Sequence, residues 1–119
     1  MKIIYNNIIP FKGYVAINLF GTIFARKEYK PIDNITINHE SIHTAQMKEL
    51  LYIGFYIWYF IEWIIKLIVC LFKGWNYKNA YYNIAFEYEA YLYEHHFTYL
   101  KERKPYFWFN KVKQMRKYI

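Results

Sequence analysis

The spacing of apolar positions changes character near residue 34. Upstream, the stretch GYVAINLFGTIFAR is dense in β-branched and aromatic residues, with Gly21 near its middle. That pattern predicts two antiparallel strands, residues 14–19 and 22–26, meeting around Phe20-Gly21 within a strand-rich segment 1–30. Pro31, Asp33 and Asn34 mark a turn, after which Thr36 or Asn38 is placed to cap a helix. Ile42, Ala45, Gln46, Leu50 and Ile53 then recur at three- and four-residue steps, predicting a helix over 36–53 with a break at Gly54. A second helix is predicted over 55–72, ended by Gly74 and Asn76, and a third over 79–104, stopped by Pro105. Residues 105–119 form a basic, aromatic tail. The sum is an α+β fold: a short N-terminal antiparallel hairpin or small sheet followed by three or four helices.

The helix at 55–72 admits two readings. Between Leu50 and Phe72 only Glu62 and Lys66 are charged, and a run of that length reaches about 34 Å, enough for a bilayer core of ~30 Å. Yet Glu62 and Lys66 stand four apart and can pair. With Tyr52, Tyr56, Tyr59, Cys70 and Lys73 they trace a loosely polar stripe, which suits a core helix with one wet edge. Membrane contact through 50–72 and a soluble core helix are both carried forward.

Composition narrows the class. The 119 residues make one domain, and with 56% hydrophobic residues the chain has ample apolar surface to offset its ordering entropy, so disorder is excluded. Aromatics alone reach 24%, a surface that an oligomer or lipid could help to cover. The net charge is +7, and Lys101, Arg103, Lys104, Lys111, Lys113, Arg116 and Lys117 concentrate it at the end. No nucleic-acid motif accompanies the charge, so nucleic acid is set aside; the tail reads as a solvated helix end or as a contact for anionic lipid. Cys70 is the only cysteine, which excludes an internal disulfide and a thiolate metal cluster. The N-terminal segment makes a poor signal peptide, and the expected location is cytoplasmic or membrane-associated.

Candidate chemistry begins at INHESIHTAQ, where His39-Glu40-x-x-His43 falls on the first predicted helix. Residues four apart share a helix face, so His39 and His43 can present two imidazoles to one Zn2+ ion. Glu40 lies beside them, off the metal, where its carboxylate can take a proton from a water on the ion. Such a site wants a third protein ligand. About 45 residues downstream, NIAFEYEAYLYEHH places Glu87 and Glu89 in an apolar stretch where unpaired carboxylates would be costly. Glu87 is the first choice and Glu89 the alternative; two apart, they point to different sides of a helix. Glu94 and His95 lie near the face of Glu87 and are candidates for a ligand or a transition-state donor, although His95 and His96 also read as an exposed pair. Gln46 can hydrogen-bond a ligand or substrate, or face solvent, and Tyr88 or Tyr91 can offer an O–H to a developing oxyanion.

The HESIH motif followed by EYEAY on a later helix resembles the gluzincin metallopeptidases. Glu87-Tyr88-Glu89-Ala90 is similar to the Glu-x-x-Ala-Asp segment of the membrane-embedded prenyl-protein endoprotease and heat-shock protease group, and Gln46 matches the HExxHxxQ of small minimal gluzincins. The resemblance covers residues 36–50 and 84–92. It implies a zinc site between the first and third helices with Glu87 as ligand, a peptide or protein substrate, and a strand, 22–26, that pairs with it. The chain departs from the pattern at Tyr91, where the family has an Asp that orients a zinc-binding histidine. Two functions follow: a small zinc-dependent metallopeptidase, or a non-catalytic, membrane-associated or partner-binding helical module in which the histidine pair is incidental or structural. Tyr91 adds a variant of the first, a pseudo-enzyme that holds zinc without turnover.

Overall fold

A computed structural model describes residues 2–117. Among them the fold is α+β, a three-stranded mixed sheet against five helices. Strands β1 (Ile3–Asn6), β2 (Ala16–Leu19) and β3 (Thr22–Arg26) are ordered β1-β3-β2. β2 and β3 form the predicted antiparallel hairpin, with Ile17 opposite Phe24 and Leu19 opposite Thr22. Its tight turn puts Phe20 and Gly21 at φ 52° and 92°, the second of which favours glycine. β1 adds on the far side, parallel to β3. The segment expected to pair with substrate, 22–26, is therefore the central strand with both edges occupied, and that expectation is corrected: the strand edge beside the first helix belongs to β2.

Helix α1 (Asn34–Glu49) is capped by neither Thr36 nor Asn38. Asp33 does it, its carboxylate accepting from the Thr36 N–H at 2.7 Å. The break before the next helix falls at Leu51 and Tyr52, both at positive φ, and Gly54 sits within the first turn of α2 (Ile53–Lys73). A β-carbon at this position would stand only 3.2 Å from Leu50 Cβ, which favours glycine there.

The predicted third helix is three: α3 (Lys78–Asn83), α4 (Ala85–Tyr93) and α5 (Tyr99–Glu102). The first break has a definite cause on α2. Glu62 and Lys66 pair at 2.6 Å, as their spacing suggested, but they are buried and wedge between α3 and α4. Lys66 donates to the Asn83 carbonyl at the end of α3. Glu62 accepts from the Ala85 N–H at the start of α4 at 2.8 Å. Each charge thus meets the helix end of opposite dipole, and two orphaned backbone groups are satisfied. The main apolar cluster, Met47, Phe55, Ile84, Ala85, Phe86 and Trp108, lies where α1, α2, α4 and the 3-10 turn at Phe107–Lys111 converge.

The polar stripe of α2 is inverted relative to expectation. Phe55, Glu62, Lys66 and Cys70 face inward, whereas Ile53, Ile57, Phe60, Ile61, Ile65, Ile68, Leu71 and Phe72 face out. By length and composition α2 could cross a membrane.

Candidate metal centre

α1 turns a largely polar face into the protein: Asn38, His39, Ile42, His43, Thr44, Gln46 and Met47 are buried. Against it packs α4, whose first turn carries Glu87. The result is a buried cluster of His39, His43 and Glu87 that could hold a metal ion. His39 Nε2 and His43 Nε2 each lie 3.1 Å from Glu87 Oε1, and 3.2 Å from each other.

The outer ring atoms decide what this triangle offers. Gln46 Nε2 donates to the Phe86 carbonyl at 3.0 Å and to Glu89 Oε1 at 2.9 Å. Its carbonyl oxygen is therefore the atom facing His43 Nδ1, at 2.8 Å. Glu94 Oε1 faces His39 Nδ1 at 2.9 Å. Both partners are acceptors, which favours a proton on each Nδ1; in the neutral tautomer that suits a metal, each ring turns its Nε2 lone pair inward. With Glu87 Oε1, three lone pairs converge without a donor among them. Only positive charge relieves that repulsion. The same imbalance shows in titration. Burial lowers the His43 pKa, but the Glu87 carboxylate, its hydrogen bond and the charge of Glu40 outweigh it and push the pKa up to about 9. Burial works to raise the pKa of Glu87, yet the two imidazoles hold it well below the carboxylate range.

Further contacts fix the three donors. Tyr59 donates to Glu87 Oε2 at 2.8 Å, leaving Oε1 as the inward oxygen. Asn38 Nδ2 reaches the carbonyls of Tyr93, Glu94 and His96 at 3.2, 2.9 and 3.1 Å, tying the end of α4 to α1 beside His39. Behind Gln46, Glu89 accepts from Tyr99 O–H at 2.6 Å and from Arg103, which also grips Glu49 through two bonds of 2.9 and 3.0 Å. Glu89 is thus not an alternative ligand. Two positions after Glu87 on the helix, it points to the other side and is fully committed to Gln46, Tyr99 and Arg103.

The ring of Tyr91 packs edge-on against His39 at 4.5 Å, and its hydroxyl pairs with Tyr81 at 3.2 Å. The carboxylate on the outer nitrogen of His39 comes from Glu94, three residues further along. Tyr88 faces the tail, where its hydroxyl accepts from Arg116 at 3.3 Å. His95 and His96 are exposed, as their helix-end position suggested. The sequence named Asn38 only as a possible cap and Tyr59 only as part of a stripe, with no place at the centre for either. Tyr59 lies on the polar stripe of α2, the one signal that could have found it.

Glu40 is half-buried, and burial pushes its pKa up despite the nearby imidazoles. It borders a cavity of about 840 Å3 together with His43 and Glu87. Its lining is largely apolar and aromatic, including Phe55, Tyr59, Trp63 and Tyr81, and takes in Ala16, Ile17 and Asn18 of β2. Asn18 Nδ2 donates to the Glu40 carbonyl at 2.7 Å and so sets β2 against the start of α1.

Comparison with protein families, with curated proteins and with solved structures gives no match. The chemistry of the centre is therefore argued from its own atoms.

Proposed function

We propose that this protein is a zinc-dependent hydrolase acting on peptide bonds. The observation that carries the reading is the triangle of two Nε2 atoms and one carboxylate oxygen with both Nδ1 protons already committed. Ligands held at ~2.0–2.1 Å in tetrahedral directions stand about 3.3 Å apart, close to the separations of 3.1, 3.1 and 3.2 Å found between these atoms. Two histidines and one glutamate leave a fourth position for water, the donor set of catalytic rather than structural zinc.

When bound, zinc supplies the Lewis acidity that lowers the pKa of a coordinated water to about 7. Glu40, beside the would-be ligands and bordering the cavity, would be the group that takes the proton from an attacking water and returns it to the leaving amine. Its raised pKa suits a group that must hold a proton between two steps. Substrate runs along β2. In an antiparallel ladder alternate residues turn their backbone groups away from the partner strand, and on β2 these are Ala16 and Asn18. The Asn18 carbonyl already accepts from Tyr56 O–H at 3.1 Å, which leaves the neighbourhood of Ala16 as the stretch for an extended peptide. Tyr81 and Tyr91 line the cavity with their hydroxyls paired at 3.2 Å, and these are the candidates for an oxyanion role.

Metal analysis of the purified chain tests the proposal. About one zinc per chain is expected, lost in His39→Ala, His43→Ala and Glu87→Ala. Glu40→Gln is expected to keep the metal and lose hydrolysis of an unstructured peptide. A metal-free preparation from zinc-replete medium overturns the reading; a zinc-loaded chain that cleaves no peptide reduces it to a structural metal.

A further inference from the structure

We propose that the outward face of α2 is a membrane-docking surface, on which the protein lies with the helix in the plane of an anionic bilayer. This inference goes beyond the metal site and does not depend on it.

Three observations carry it. The first is the sidedness of the helix. At ~100° per residue, Ile53, Ile57, Phe60, Ile61, Ile65, Ile68, Leu71 and Phe72 fall within an arc of about 140°, opposite the arc of Phe55, Glu62 and Lys66. Leu71 and Phe72 are 71% and 89% exposed. The arc holds no polar side chain; Glu62 and Lys66, the two charges in the middle of the helix, are turned away and satisfied by each other, Asn83 and Ala85, and the third, Lys73, stands at the helix end. A lipid-facing surface must be free of unmet polar groups, and this one is.

The second observation favours lipid over a second copy as the covering partner. Interfaces between proteins carry a polar rim with direct hydrogen bonds, for which this arc has no donors or acceptors on its side chains.

The third is charge. Arg103 to Lys117 contains six basic residues and no acidic one. Part of this segment follows the flank of α2. Phe109, 61% exposed, has its ring 6.3 Å from Trp58, and the Arg116 backbone exchanges two bonds of 2.7 Å with Asn83, whose carbonyl accepts from Lys66. Exposed Lys104, Lys113 and Lys117 thus belong to a basic segment that meets α2 at Trp58, on the flank of the apolar arc, and positive charge beside an apolar face is what attracts anionic lipid headgroups.

The same packing argues for lying rather than spanning. α1, α3 and α4 cover the inward side of α2 and its Glu62–Lys66 pair, so a spanning orientation would draw them into the hydrocarbon together with exposed Lys48 and Lys78.

Vesicle flotation of the intact protein tests the proposal, with phosphatidylcholine alone and phosphatidylcholine mixed with phosphatidylglycerol. Binding to the mixed vesicles, weaker on neutral ones and reduced by salt, is expected. Ile61→Glu/Ile68→Glu, at exposed positions, is expected to weaken partitioning at least about tenfold with unchanged circular dichroism and metal content. Absence of binding to either vesicle overturns the proposal, as does binding that the double substitution leaves intact. A lipid-free dimer dissolved by the same substitutions also overturns it and assigns the face to a second copy.

Discussion

Glu94→Ala isolates the carboxylate contact on the outer nitrogen of His39. The Glu94 carboxylate lies 2.9 Å from His39 Nδ1, and the two side chains are only 18% and 9% exposed, so water replaces the bond poorly. A hydrogen bond to a charged group contributes ~1.5–3 kcal/mol. At about 1.4 kcal/mol per tenfold, removing it weakens zinc binding by roughly 10- to 150-fold, in line with the ~10- to 100-fold effect of outer partners at other metal sites. Glu94→Gln retains an acceptor oxygen without the charge, and its loss is held to less than about tenfold. The measurement is competition for zinc against a chromophoric chelator at neutral pH, with thermal melting of the metal-free forms as control. Because Asn38 ties the α4 end through backbone carbonyls, both metal-free variants are expected to remain folded. Parental affinity in both variants would refute the assignment of Glu94 as the group that orients His39.

Other perturbations reach different parts of the fold. Lys66→Met strands the buried Glu62 carboxylate and frees the Asn83 carbonyl, so denaturant unfolding should show a loss of ~3–5 kcal/mol. Asp33→Ala removes the α1 cap and should cost about 1 kcal/mol at neutral pH in the same assay. Hydrogen bonds to Thr36 hold the Asp33 carboxyl below its usual pKa, so its contribution is complete above the unfolded value and is lost as pH falls through the folded one; the gap between parent and variant should close in acid. Stripping zinc with a chelator removes ~2.7 kcal/mol when free metal stood at 100 times its dissociation constant, and melting should fall by roughly 10 °C.

The centre was legible because each part has a short-range signature. The histidine pair follows from helical spacing alone, and Glu87 announced itself as a carboxylate in an apolar stretch. The hairpin was equally local, pinned by Gly21. What failed to show depends on partners distant in sequence. Nothing near Ile84 breaks a helix by propensity; Glu62 and Lys66 do so from α2. The parallel pairing of β1 with β3 joins Ile3 to Ile23, a register no local pattern states. The stripe on α2 was visible but its direction was not, because periodicity identifies two faces without saying which meets water. Asp33 was read as a turn residue when its carboxylate was the cap.

The wedge of Glu62 and Lys66 bears on how the centre comes into being. Glu87 stands on the opening turn of α4, and that turn is set by groups on α2 rather than by anything in α4 itself. Seating α2 is therefore part of what holds Glu87 at its distance from His43, and without α4 in place α1 offers only its histidine pair. A metal ion held by all three groups would report the finished architecture.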